Sequence, residues 1–255
     1  MPTSTLLEFI LADHFQSELP LSVVDLASWM AAFRDDFPEV HQFPAFPRVD
    51  LNPIGQPAVR FAPPGGELPR VVLRSPSSQL TIQLQSDRFA FAWTRSNPLG
   101  EPAEYPGYEA MMGIWAVTLA KFEEWSKAQI GTIPFARLVE ISYHNAAPID
   151  SQGRRRHISE MFRFVHTEGR RLNQFQVAWG ESLSEGPDSP RVAAQVGIGT
   201  APPDQVVFAF NFMGLGTVSG LGTDAEAVDM LNSLHKRIRE MYDAAIISDA
   251  WDQEL

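Results

Sequence analysis

A chain of 255 residues, 44% apolar and 11% aromatic, is long enough for one large domain or two modest ones and has ample side-chain volume for a core, which excludes global disorder. No apolar run approaches the ~20 residues of a membrane-spanning helix, and the opening, with Glu8 and Asp13, lacks the basic-then-apolar pattern of a secretory signal. The absence of cysteine removes disulfides, thiolate metal sites and cysteine nucleophiles, and a net charge of −11 argues against direct nucleic-acid binding, so the expected setting is the cytoplasm.

Leu6 to Leu11 reads as a buried strand. Ser22-x-x-Asp25 has the form of a capping box with Asp in the place of Glu. It opens a helix to about Asp36 with Val23, Leu26, Trp29 or Met30, and Phe33 on one stripe. Phe43 to Pro69 is proline-rich and reads as irregular connections. Arg70–Arg74, Gln79–Gln85 and Arg88–Thr94 then alternate or run apolar between short turns, which predicts an antiparallel meander with one wet face. A second helix is expected over Gly107–Lys127, with Gly131 as its C-terminal cap.

Beyond it come a strand over Phe135–Tyr143, a short helix near Ile158–Phe162, and strands around 173–180, 191–198 and 205–212. Thr223-x-x-Glu226 opens a last helix striped by Val228, Leu231, Leu234, Ile238, Met241 and Ala245. Stripes of this kind must be buried on a sheet face, which predicts an α+β protein of antiparallel sheets backed by helices. The element order divides into a first half, 1–131, and a second, 132–255, packed as one continuous unit. That order resembles tandem TBP-like halves, the strand–helix–four strands–helix fold type of the TATA-box-binding protein, and such a likeness implies no function by itself.

Several pieces in order carry a further resemblance: Leu6-Leu-Glu-Phe-Ile-Leu11, Phe33-Arg-Asp-Asp-Phe-Pro-Glu39, Gln83-Leu-Gln-Ser-Asp-Arg-Phe89 with Trp93, Tyr105-Pro-Gly-Tyr-Glu109, and Val139-Glu-Ile-Ser-Tyr-His-Asn145. Together they resemble a sporadically distributed bacterial family of about 250 residues with no established biochemical function. The resemblance covers residues 5–145 well and the remainder loosely, and supplies no catalytic residue. The loop Asn97–Glu104 is long for it.

For chemistry, the six histidines show no helical i,i+4 or His-x-His spacing. A metal site would have to assemble in space from His144, His157 or His166 with Glu140 or Glu160, and none is expected. Gly214 to Gly222 follows a strand and precedes a helix, yet it fits neither phosphate-loop fingerprint and lacks the lysine, so it reads as a flexible connector and no cofactor is expected. Trp93, Tyr105, Tyr108, Tyr143 and His144 are the candidates to line a pocket between sheet and helices, against the plainer reading of core aromatics. The sharpest charge feature is the window 151–175, with 6 basic and 2 acidic residues in an acidic chain. Arg154, Arg155, Arg156, Arg170 and Arg171 are its candidate interaction residues, since arginine pairs bidentately with carboxylates. The expectation is therefore a non-enzymatic protein–protein interaction module, with a protein partner or self-association. The alternative is a small-ligand binder or enzyme using a cavity between sheet and helices.

Overall fold

The structure is a computed structural model that describes residues 6–46, 48, 68–95, 103–148, 150–151, 154–155, 158–164, 175–186, 189–201, 205–218 and 225–247; at 148, 150–151, 154–155, 158, 199–201 and 205–206 it describes the backbone alone. In chain order the elements are β1 (Leu6–Phe15), α1 (Val23–Phe33), β2 (Glu39–Phe43), β3 (Arg70–Arg74), β4 (Leu80–Gln85), β5 (Arg88–Thr94) and α2 (Tyr108–Gln129). They continue with β6 (Ala136–Pro148), β7 (Asp150–Ser151), β8 (Arg154–Arg155), α3 (Ile158–Met161), β9 (Gln176–Ser182), β10 (Arg191–Ala201), β11 (Gln205–Thr217) and α4 (Ala225–Ala245).

Nine strands form one sheet in the order β2-β3-β4-β5-β1-β6-β11-β10-β9, and every pairing in it is antiparallel. The protein is thus α+β around a large antiparallel sheet. The sheet runs without a break through the centre, where β1 pairs with β6 from Phe9 opposite Tyr143 to Asp13 opposite Val139. Strand side chains alternate, so this register sends Phe9, Leu11, Phe89, Phe91, Trp93, Ile141, Tyr143, Phe210 and Phe212 to one face, all of them buried. The helices pack there. Phe122 of α2 stacks on Phe15 and Phe89, Trp115 stacks on Phe89, and Tyr242 of α4 meets Phe210 and Phe212.

The cap of α1 forms as its sequence predicts: the Asp25 amide donates to Ser22 Oγ at 3.2 Å and the Ser22 amide donates to Asp25 Oδ2 at 2.8 Å. Trp29, Trp115, Phe122, Leu231 and Ile238 are all fully buried. Val23 is not part of the buried stripe; at the first helical position it is 71% exposed, while Leu26, Trp29 and Phe33 carry the contact. Gly131 sits at φ +81° past the end of α2, and its amide donates to the Ser126 carbonyl, a left-handed cap that glycine adopts without strain.

Three sequence expectations need correction. Phe43, expected to open the irregular connections, is instead the last residue of the edge strand β2, Glu39–Phe43, between Pro38 and Pro44. The meander has no wholly wet face at β5, because Ala90 and Ala92, which point away from the helices, are buried as well. Gly214–Thr217 belongs to β11 and is no flexible connector; Gly214 and Gly216 lie under α4, where an added Cβ would stand 3.0 Å from Leu234 Cβ in the first case and against the Met230 side chain in the second. Missing side chains there let α4 lie close to the sheet. The remainder of the glycine stretch, residues 219–222, falls outside the described residues, as does the capping box at Thr223.

Candidate functional site

The aromatic residues expected to line a pocket do come together, but they fill the space themselves. Phe9 meets Tyr143, Tyr105 and Tyr108 at ring-centroid distances of 4.9, 5.6 and 6.4 Å, and Trp93 meets Tyr105 edge-on at 5.1 Å. From α4, unforeseen in the sequence, His235 stacks on Tyr108 at 3.9 Å and Asn232 accepts the Tyr108 hydroxyl at 3.0 Å. Burial pushes the Tyr143 hydroxyl well above its usual range, so it keeps its proton. His235 is pushed down to about 4, by burial first and by the Arg239 charge second, so its ring is neutral near pH 7. Tyr143 Oη–H therefore donates to His235 Nδ1 at 2.6 Å. This cluster ties α4 and the start of α2 to the central strands.

His144 does not join it. Its neighbour Tyr143 points toward the helices, so strand alternation turns His144 to the opposite face, where it pairs with Glu8 at 3.2 Å. On that same face, His14 Nε2 donates to Glu140 Oε2 at 2.8 Å and the Ser142 hydroxyl donates to Glu140 Oε1 at 2.8 Å. Burial alone would raise the Glu140 carboxyl, but the hydrogen bond and charge of His14, with Ser142 and the Arg88 charge, outweigh it and hold the group below its usual range. A carboxylate-oriented imidazole is the arrangement of an acid–base pair. Here the other ring nitrogen, His14 Nδ1, is sealed from solvent without a hydrogen-bond partner, and the pair fastens β1 to β6. Among the described residues no group of three His, Asp or Glu could hold a metal. His157 and His166 lie outside them.

Of the candidate interaction residues, Arg154 and Arg155 form β8, paired with β7 as a two-residue ladder described by backbone only. Arg156, Arg170 and Arg171 lie outside the described residues. Arg163, in the same window, is exposed and its guanidinium donates to the Ile246 carbonyl at 3.0 Å.

The feature that sequence reading missed lies on α2. Its inner face, Met111, Trp115, Leu119, Phe122 and Trp125, is buried against the sheet as periodicity predicts. Its outer face is apolar too: Ala110, Gly113, Ala116, Val117 and Ala120 are exposed, Val117 by 73%. No charged residue occurs anywhere in 110–120, some three turns of helix. Helices that are apolar all round are ordinarily covered on both sides.

Beside this face runs an open groove of about 500 Å³, walled by Phe33 at the end of α1, Phe37 just past it, Leu80 of β4, and Gly113, Ile114 and Val117 of α2. Its origin is a mismatch of lengths. At 1.5 Å per residue α1 spans about 16 Å and α2 about 33 Å. Ser28 lies against Trp125 and Gln129, and Asp36 meets Lys121 at 2.7 Å, so α1 runs antiparallel beside the second half of α2 and stops short of the first half. Among the described residues of the groove wall the charged ones are Asp36 and Lys121, which neutralise each other. Such a surface can bind apolar side chains, and its alanines and glycine admit a second helix at close range. No described helix is long and apolar enough to cross a membrane. No family model matches the chain, and no curated protein matches it either.

Proposed function

We propose that this chain is a non-enzymatic protein–protein interaction module that docks its partner on the outer face of α2 and the adjoining groove. One observation carries the reading: an exposed helical face, residues 110–120, that is free of charge and flanked by an open apolar groove. Covering such a face removes apolar surface from water at roughly 25 cal/mol per Å². The aromatic cluster around Tyr143, the alternative location for function, is filled by its own rings. The arginines of 151–175 would contribute at most a second edge to the interface.

The tandem TBP-like arrangement belongs to the same proposal. It is supported by the sheet order, in which β5, β4, β3 and β2 leave the central pair on one side as β11, β10 and β9 leave it on the other. On this reading α2 and α4 are equivalent helices, each following the strand that pairs beside its half's first strand.

The test is proximity crosslinking of wild-type protein and a Val117→Asp variant in native cells. Val117 touches solvent over most of its surface, so the substitution leaves the fold within about 0.5 kcal/mol of wild type. The reading expects a crosslinked adduct with the wild type that the variant loses. Identical adduct patterns for both proteins overturn it.

A further inference from the structure

The two ends of the exposed face of α2 carry opposite charges. Glu109 stands in the first turn and Lys127 in the last, both exposed and neither with an ion-pair partner among the described residues. They are eighteen residues apart, which at 3.6 residues per turn is five whole turns, so they lie on one line along the helix. Between them on that side come Gly113, Ala116 and Ala120, at steps of four, three and four residues from Glu109.

We propose that the occupant of this face is α2 of a second copy of the chain, packed antiparallel about a two-fold axis that crosses the outer face between Ala116 and Ala120. The proposal rests on the interaction reading above and names its partner. With the axis at that position, Glu109 lies opposite Lys127 of the partner subunit and Lys127 opposite Glu109 of the partner subunit, while Ala116 faces Ala120 of the partner subunit. A single rotation thus satisfies both charges at once and brings the smallest side chains together at the crossing, where helix axes can approach to about 8 Å. A parallel arrangement would set Glu109 against its own counterpart and Lys127 likewise, a repulsion at each end. Glu124, also exposed, falls opposite Met112 of the partner subunit. The helix dipoles are likewise opposed in the antiparallel pair.

Sedimentation velocity and light scattering of the full chain across a wide concentration range test this, with Glu109→Lys and Lys127→Glu as the perturbations. Both residues are exposed and at helix ends, so each variant should fold, as circular dichroism will verify. Wild type is expected to dimerise, and each reversal, which turns two attractions into two repulsions, to weaken the dimer by about tenfold or more. An equimolar mixture of the two single variants should recover it as a heterodimer, because Lys against Glu is then restored at both ends; the double variant should recover it as a homodimer. A purely structural role for either residue produces no such rescue. A wild type that stays monomeric at every concentration, or a dimer indifferent to the reversals, overturns the proposal. If the monomeric protein still loses a crosslinked adduct on Val117→Asp, the second copy is the wrong partner and the interaction reading stands; if it loses none, both fall.

Discussion

Gly214→Ala probes how closely α4 is held to the sheet. The added Cβ would stand 3.0 Å from Leu234 Cβ and 3.2 Å from both Leu234 Cδ2 and Ile141 Cγ2, and both neighbours are fully buried. A Cβ is fixed to its backbone, so the clash is relieved only by moving α4 outward, and overpacking of this kind costs about 1–3 kcal/mol. Against it, alanine at an ordinary backbone conformation restricts the unfolded chain and returns about 0.4–1 kcal/mol. The net is a destabilisation of about 1–2 kcal/mol, read as a fall in Tm of about 2–8 °C for a chain of this size. Gly216→Ala is the control. Its Cβ would come still closer to another atom, but that neighbour is the Met230 side chain, which is only partly buried and has three rotatable bonds with which to move aside. Thermal unfolding should therefore rank Gly214→Ala as the more damaging, against the order of the bare distances. Gly216→Ala proving equal or worse refutes the view that rigid contact with α4, not proximity, sets the cost.

Acid should weaken the fold in two steps. The His235 imidazole has its folded pKa lowered from 6.5 to about 4, so between those values the unfolded chain binds the proton that the native chain refuses, and stability falls as pH drops from about 6.5 to 4. After discounting for solvent reaching the half-buried ring, the loss is on the order of 1–2 kcal/mol, and chemical denaturation of His235→Gln over this window should show a flatter profile; an unchanged slope contradicts the assignment. Glu140, held below its usual range, adds stability that is present above the unfolded carboxyl pKa and lost as pH falls through the lower folded one. Ser22→Ala removes the acceptor for the Asp25 amide and should cost about 1 kcal/mol in urea unfolding; a cost near zero would mean that water replaces the cap.

The fold was legible wherever local chemistry decides it. Ser22 and Asp25 announce the start of α1, Gly131 announces the end of α2, and the apolar stripe through Trp115 and Phe122 identifies the face that meets the sheet. Composition hid what tertiary context decides. Gly214 and Gly216 look like a loop in sequence because small residues break strand patterns, yet their role is to admit α4. Likewise Glu39–Phe43 acquires its strand character from pairing with β3, which no local signal between two prolines could declare. At the aromatic cluster, Trp93, Tyr105, Tyr108 and Tyr143 could be grouped from sequence, but His144 could not be separated from them without the register that turns it to the other face. The outer face of α2 went unread for a related reason. Helical periodicity marks the stripe that meets the sheet, whereas the outer face is marked by the charge-free run 110–120, which a single buried stripe does not require.

The central claim is that the outer face of α2 is covered by another polypeptide when the protein works. Because the chain has no cysteine, Val117→Cys introduces a single thiol at the middle of that face. Its rate of alkylation can be measured on dilute purified protein and in concentrated extract of native cells, with a thiol placed at exposed Ala128 near the far end of α2 as the reference for reagent consumption. The account predicts that the thiol at position 117 reacts freely in dilute solution and is slowed by about tenfold or more in the extract relative to the reference, as expected for a site at least nine-tenths occupied. Equal relative rates in the two settings would contradict it.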